Sequence, residues 1–515
     1  MDTKALRQKI LDLAIRGKLV PQDPNDEPAE VLLERIREQK QQMFKEGKLK
    51  KKDIKNDTII FKGEDNLHYE KFADGTVKCM EDEIPFEVPE GWAWCKLNDI
   101  YNFIDYRGAT PTKITNGIPL VTAKNVKSGY IDYTIDDYIS EEEFKERQQR
   151  GISKKGDILF TTEAPLGNAA LADMEKFSAG QRLITFQQYG SKNELINYVM
   201  LMFILSDFFQ QQLYVNKTGS TVAGIKAAIL KTLWIPVPPY NEQLRISNTL
   251  KSAINLIDSI SKNKEILSTS ISNTKSKILD LAIRGKLVPQ DPNDEPASVI
   301  LERIRTEKEE LIKQGKIKRD KKESVIFKGD DNSYYGIHLP DSWNWASLRE
   351  IALSISDGSH NPPPNNGSGI PLLSAANIND NSILMNEISR WITNEEWKIE
   401  NQRTNIEVGD VLLTIVGSIG RSAVVQNNNH FALQRSVAVI KPCLINPLYL
   451  MHIVQSPQIQ KWLTDNSKGT AQKGIYLNAL SLMIIPIPPL AEQARIVELI
   501  HIAYKHLDLI SNALL

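Results

Sequence analysis

Between Glu242 and Arg284 the apolar positions step alternately by four and three residues. They are Ile246, Leu250, Ala253, Ile257 and Ile260, then Leu267, Ile271, Ile278 and Leu281, with Lys264 and Thr274 interrupting the stripe. That period marks a coiled-coil seam, so one helix of about 40 residues is predicted, roughly 60 Å long at 1.5 Å per residue. The C-terminus repeats the first half of the seam with Ile496, Ile500, Ala503, Leu507 and Ile510. The N-terminus supplies the second half, Leu6, Ile10 and Leu13 matching Thr274, Ile278 and Leu281. Leu515 then corresponds to Glu265 and Met1 to Thr269. The chain reads as a circle opened inside its second long helix. The expected architecture is pseudo-two-fold: two long antiparallel coiled-coil helices form a bar, with one globular unit at each end.

Elsewhere the pattern changes to short apolar, β-rich runs punctuated by Gly, Asn, Asp and Pro. ILFTT at Ile158, LITFQQY at Leu183, VLLTIV at Val411, SVAVIKP at Ser436 and LMIIPIPP at Leu482 are predicted strands. ELINYVMLMFILSDFFQQQL from Glu194 and PLYLMHIVQSPQIQKWL from Pro447 are predicted helices. Each globular unit is therefore expected to be α+β, with a mostly antiparallel sheet and long loops.

The two units are copies. KILDLAIRGKLVPQDPNDEPA runs from Lys9 to Ala29 and again, unchanged, from Lys277 to Ala297. VLLERIR (Val31–Arg37) faces VILERIR (Val299–Arg305), and FKGED at Phe61 faces FKGDD at Phe327. Farther on the copies diverge but still align. GWAWCKL at Gly91 faces SWNWASL at Ser342, KGDILFTT at Lys155 faces VGDVLLTI at Val408, and Gln181-Arg182 faces Gln434-Arg435. IPVPPYNEQLRI at Ile235 faces IPIPPLAEQARI at Ile485. Five segments follow: residues 1–84, a helical segment with a basic arm; 85–240, the first globular domain; 241–339, the long helix and repeated arm; 340–489, the second domain; and 490–515, the last helix.

Composition narrows the class. With 41% hydrophobic and 25% charged residues the chain reads as a soluble globular protein. No apolar run approaches the roughly 20 residues that span a bilayer, and MDTKALRQKI has no signal-peptide apolar core. Three cysteines without a CxxC pair suit a reducing compartment, the cytoplasm. A net charge of −1 neither supports nor excludes nucleic acid, because a large reader concentrates its basic residues on one face.

Polar and basic residues gather in the loops of both domains. In the first they are Arg107, Thr110, Lys113, Lys124, Asn125, Arg182, Ser220 and Lys226. In the second they are Asp357, Ser359, His360, Asn361, Asn377, Arg421, Arg435, Thr470 and Lys473. Arg and Lys donate to guanine edges, Asn suits adenine, and Ser, Thr and glycine-turn N–H groups suit phosphate oxygens. Ordinary surface loops carry the same residues, so the loops are a firmer expectation than any single side chain.

The duplicated LAIRGKLVPQDPNDEPA blocks, the paired IPVPP…EQ and IPIPP…EQ boundaries and the two divergent units resemble the specificity (S) subunit of Type I restriction–modification systems. The likeness covers nearly the whole chain. It implies a non-catalytic subunit whose two globular domains recognise double-stranded DNA. It further implies two methyltransferase (M) subunits, joined by restriction (R) subunits, as partners. S-adenosylmethionine, ATP and Mg are expected on those partners only, with no cofactor or metal on this chain and no membrane. Leu250, Ile257, Leu267, Ile271, Ile278, Leu281, Ile10, Leu13, Ile500 and Leu507 are the expected scaffold and partner-interface positions. Identical scaffolds suit two copies of one partner and different loops suit two half-sites, which predicts an asymmetric bipartite target with an unread spacer.

Catalytic patterns do not assemble. Asn361-Pro362-Pro363 is followed by Pro364 and Asn365, not by the aromatic that stacks on a flipped base. Asp157 and Glu163 suggest a metal-binding pair, but their counterparts are Asp410 and Val416, and Gly-Asp is expected to shape a turn before a strand. Gly417–Arg421 lacks the G-K-[ST] ending of a phosphate loop and reads as a turn. His501 and His506 have the wrong spacing to share a metal. The lysine runs 48–55 and 316–322 read as solvated arms, or as contacts to DNA phosphates or M subunits.

Overall fold

The computed structural model describes residues 2–54, 57–72, 74–106, 110–134, 136–189, 194–219, 223–319, 333–469 and 473–514. Arg107, Ser220 and Thr470 lie outside these, as do Lys55 and residues 320–322 of the lysine runs. The chain divides into two units, Met1–Asn263 and Lys264–Leu515.

In the first unit, Asp2 starts the helix Thr3–Ile15 by accepting from the N–H groups of Lys4 and Ala5. The helix stops at Gly17, whose φ of +64° suits the left-handed turn. The Lys18 N–H reaches back to the Leu13 carbonyl at 2.8 Å, closing the turn. A Cβ at Gly17 would stand 2.3 Å from Pro89 Cγ, so no other residue fits the turn as packed. The second unit repeats this at Gly285, with φ +64° and 2.5 Å to Pro340 Cγ.

The repeated Pro-Gln-Asp-Pro-Asn-Asp loop is then pinned to the long helix Tyr240–Ile283, 44 residues against the roughly 40 expected. Gln22 donates to Glu242 at 3.0 Å, Trp92 Nε1 donates to the same carboxylate at 2.9 Å, and Arg245 pairs with Asp26 at 2.6 Å. In the second unit Gln290 and Trp343 hold Glu492 at 2.6 and 2.9 Å, and Arg495 pairs with Asp294. Burial raises the pKa of both glutamates. In each unit two helices run antiparallel. Arg7 meets Asp258 in the first, and Tyr504 OH donates to the Lys275 carbonyl at 3.3 Å in the second, where the last helix is Leu490–Leu514.

The seam is broader than its period predicts. Ile246, Leu250, Ile257, Ile271 and Ile500 are buried, but so are Ile254, Leu279, Ala282 and Ile283. Ile278, Leu281, Ile10, Leu13 and Leu507 are only half-buried, while Leu11, Ala14 and Ile15 are enclosed. Leu267 is 38% exposed, a correction to its placement in the seam. The helices turn a stripe into their own globular cores as well as toward a neighbouring helix. Leu11 and Ile15 cluster with Leu32, Trp92 and Phe203, and Leu279 and Ile283 with Ile300, Trp343 and Met451.

Each unit is α+β. In the first, a four-stranded antiparallel sheet runs in the order Tyr101–Asp105, Leu183–Gln188, Ile158–Thr161, Ala169–Leu171. In the second the order is Ala352–Asp357, Val437–Pro442, Val411–Thr414, Ser422–Val424. A three-stranded sheet beside each contains one parallel pair, Ser178 with Leu120 and Leu372 with Ala432. The two predicted apolar helices are each broken in two. Ser206 separates Asn197–Ile204 from Asp207–Val215, and Ser456 separates Pro447–Val454 from Pro457–Asp465. Ser206 Oγ accepts from the Phe209 N–H, a cap that ends one helix and begins the next. Among the described residues, no helix is long and apolar enough to cross a membrane.

Candidate nucleic-acid interface

At one end of the first domain's central sheet, four loop segments meet. Thr110 donates to Gln181 at 2.8 Å, Arg182 pairs with Glu163 at 3.1 Å, and Glu163 forms a backbone bridge with Gly224. Gly224 also forms an antiparallel bridge with Thr218, and Ile225 N–H donates to the Thr162 carbonyl, which places exposed Lys226 beside them. Lys113 pairs with Asp137 at 2.7 Å.

The second domain builds the same corner from different residues. Arg435 N–H donates to the Ser359 carbonyl at 2.9 Å, Gly417 N–H to that of Lys473 at 3.1 Å, and Val416 bridges Gly474. Thr414 Oγ1 accepts from the Arg421 N–H at 2.9 Å, so Gly417–Arg421 is the turn joining two antiparallel strands. The side chains of Lys124, Lys226, Arg435 and Lys473 are exposed and have no hydrogen bond or ion pair among the described residues. Arg421 lies in the field of Asp380.

Four loop candidates are corrected. Asn125 and Asn377 are each 3% exposed. Asn125 Oδ1 accepts from the Thr122 N–H at 2.9 Å and its amide donates to the Asp132 carbonyl. Asn377 Oδ1 accepts from the Ser374 N–H at 3.0 Å, and its amide donates to the Leu384 and Glu387 carbonyls. Their donors and acceptors are committed to shaping their own turns, so none is left for a base edge. Ser359 is buried, its N–H donating to the Leu433 carbonyl. Asp357 is buried between His360, at 2.8 Å, and Arg403. His360 and Asn361 remain exposed.

Strand register corrects one pairing of the copies. Leu183 pairs with Thr161 and Val437 with Thr414, while Gly180 and Gln434 donate to the Val121 and Leu373 carbonyls. Gln181 therefore occupies the place of Arg435, and Arg182 that of Ser436. Matching the letters Gln-Arg slips the copies by one residue.

The carboxylates of the two Gly-Asp pairs are structural. Asp157 accepts from the Lys154 N–H at 2.7 Å, and burial pushes its pKa up to about 6. Asp410 accepts from the Glu407 N–H and pairs with Lys441, its pKa also raised by burial. Among the described residues no group of three His, Cys, Asp or Glu is placed to hold a metal ion. Sequence reasoning missed Arg403 and Glu163. Arg403, in the last turn of the helix Asn394–Thr404, carries no loop signature, and Glu163 reads in the sequence only as half of a metal-binding pair.

Residues 89–268 and 340–514 both match the sequence model of the Type I restriction modification DNA specificity domain. The chain belongs to that family. It is 28% identical to the type I restriction enzyme EcoEI specificity subunit of Escherichia coli, over 99% of this chain and 90% of that one. It is 30% identical to the EcoAI specificity subunit of the same organism, over 73% of this chain and 67% of that one. A solved structure concerned with assembly and conformational transition of the type I R-M system shares the fold. Its TM-score is 0.53 at 17% identity, over 84% of this chain and 94% of that one. The chain is thus a DNA specificity subunit, and its two α+β units contain its recognition domains.

Proposed function

We propose that each recognition domain reads one half of an asymmetric, bipartite double-stranded DNA target, and that the chain positions two methyltransferase subunits and, through them, restriction subunits. One observation carries this reading. The Gln–Trp–Glu and Arg–Asp contacts of the scaffold are the same in both units, while the loop corners carry different side chains on a similar backbone. A repeated scaffold offers one partner two equivalent seats, and divergent corners discriminate two different half-sites. Exposed Lys124, Lys226, Arg435 and Lys473 supply charge for phosphates and base edges.

Catalysis belongs in this reading to the partners, where S-adenosylmethionine, ATP and Mg would bind. Three free thiols fit work in the cytoplasm. The test is co-expression with methyltransferase subunits of its system and mapping of methylated bases across the host genome. A gapped bipartite motif that changes when the Thr110–Lys124 or Asp357–Asn377 segments are replaced supports the reading. Methylation indifferent to exchange of either whole domain, 85–240 or 340–489, would leave a scaffold that reads no bases.

A further inference from the structure

In the first domain Glu163 Oε1 lies 3.1 Å from Arg182 Nε, both side chains being about half exposed at 45% and 52%. The pair sits where the loop segments converge. The Glu163 backbone bridges Gly224, and the Thr162 N–H donates to the Arg182 carbonyl at 3.1 Å. The closest approach is at Nε, and the terminal nitrogens of Arg182 have no hydrogen-bond partner among the described residues. The ion pair confines the guanidinium at the corner and leaves the fork of its two terminal nitrogens unpaired among the described residues. That fork matches O6 and N7 of a guanine in the major groove.

The second domain has no equivalent. Val416 stands in the place of Glu163, and Ser436 in that of Arg182. Ser436 Oγ is occupied, accepting from the Ala375 N–H at 3.0 Å. A pair needed for folding would be expected in both copies of the sheet. This one is confined to one copy and exposed at the corner that differs between them.

We propose that Glu163 is a specificity-determining residue of the first domain, holding Arg182 in place to read one guanine of that domain's half-site. The proposal rests on the loop corner being the DNA-reading face. Glu163 orders Arg182 before DNA arrives, which lowers the conformational cost of forming the two-pronged contact.

The experiment uses the full chain assembled with methyltransferase subunits and maps methylated sites for Arg182→Ala, Arg182→Lys and Glu163→Val. All three are expected to lose preference for guanine at the same single position of one half-site, by roughly tenfold to a hundredfold, with the other half-site unchanged. Lysine keeps the charge but not the fork, so its loss separates base reading from phosphate attraction. An unaltered motif in Arg182→Ala and Glu163→Val, or a uniform drop in methylation without relaxed base preference, overturns the proposal. A fourth chain, with residues 85–239 exchanged for those of a relative, separates the two levels. If the exchange changes the half-site and the point variants do not, the domain reads but the pair does not. If neither changes it, the loop-corner reading itself fails.

Discussion

Asp99 is half-buried near the buried ammonium of Lys40, accepting from the Lys96 N–H at 2.8 Å, and burial pushes its pKa up to about 6. A carboxyl whose folded pKa lies above its unfolded 3.8 adds stability that is complete below about pH 4 and lost as pH rises through about 6. Asp99→Asn keeps the acceptor and removes the titration. It is expected to raise the free energy of urea unfolding at pH 8, by up to about 3 kcal/mol, and to change it little at pH 4. An equal shift at both pH values would contradict the burial account. Asn377→Ala, by contrast, is expected to cost about 2 kcal/mol of stability by stripping a buried turn of its partners, while the recognised motif stays the same. Thermal unfolding and methylation mapping check the two halves of that statement. A polar letter in a loop does not say whether its amide faces solvent or closes its own turn. Asn125 and Asn377 for that reason look like base readers in the sequence, whereas Arg403 reaches Asp357 from a helix 46 residues away and leaves no local sign.

At the scale of elements, the duplicated lock between loop and helix is the clearest link from sequence to packing. Trp343→Phe removes the donor to Glu492 and leaves a buried carboxylate oxygen without its partner, at a cost of about 1–3 kcal/mol. Trp92→Phe does the same to Glu242 and is expected to destabilise by a similar amount, because the two locks share geometry. Hydrogen exchange of the full chain should show loosening confined to the unit that carries the change; loosening of both alike would contradict the account. Strand and helix periods made these elements legible, since alternation and four-three stepping act over many residues. Two features stayed hidden. The buried stripe of the long helix widens to Leu279, Ala282 and Ile283 because globular cores press on it, which a period does not encode. The Gln-Arg dipeptides align by letter, although strand register makes Ser436 the counterpart of Arg182.

For the whole molecule, the central claim is that one chain carries two independent readers on a repeated scaffold. The repeat was legible because 21 residues recur unchanged, and the family because those repeats bracket two divergent domains. The base sequence was not, because recognition depends on side-chain placement at loop corners and not on a residue code. The most direct test replaces residues 340–489 with a second copy of 85–239, with the joined chain then assembled with methyltransferase subunits and its methylated sites mapped. If the claim holds, the asymmetric target becomes an inverted repeat of the first domain's half-site separated by an unread spacer. Assembly and methylation that persist at the original asymmetric motif would show that the second domain does not read its half.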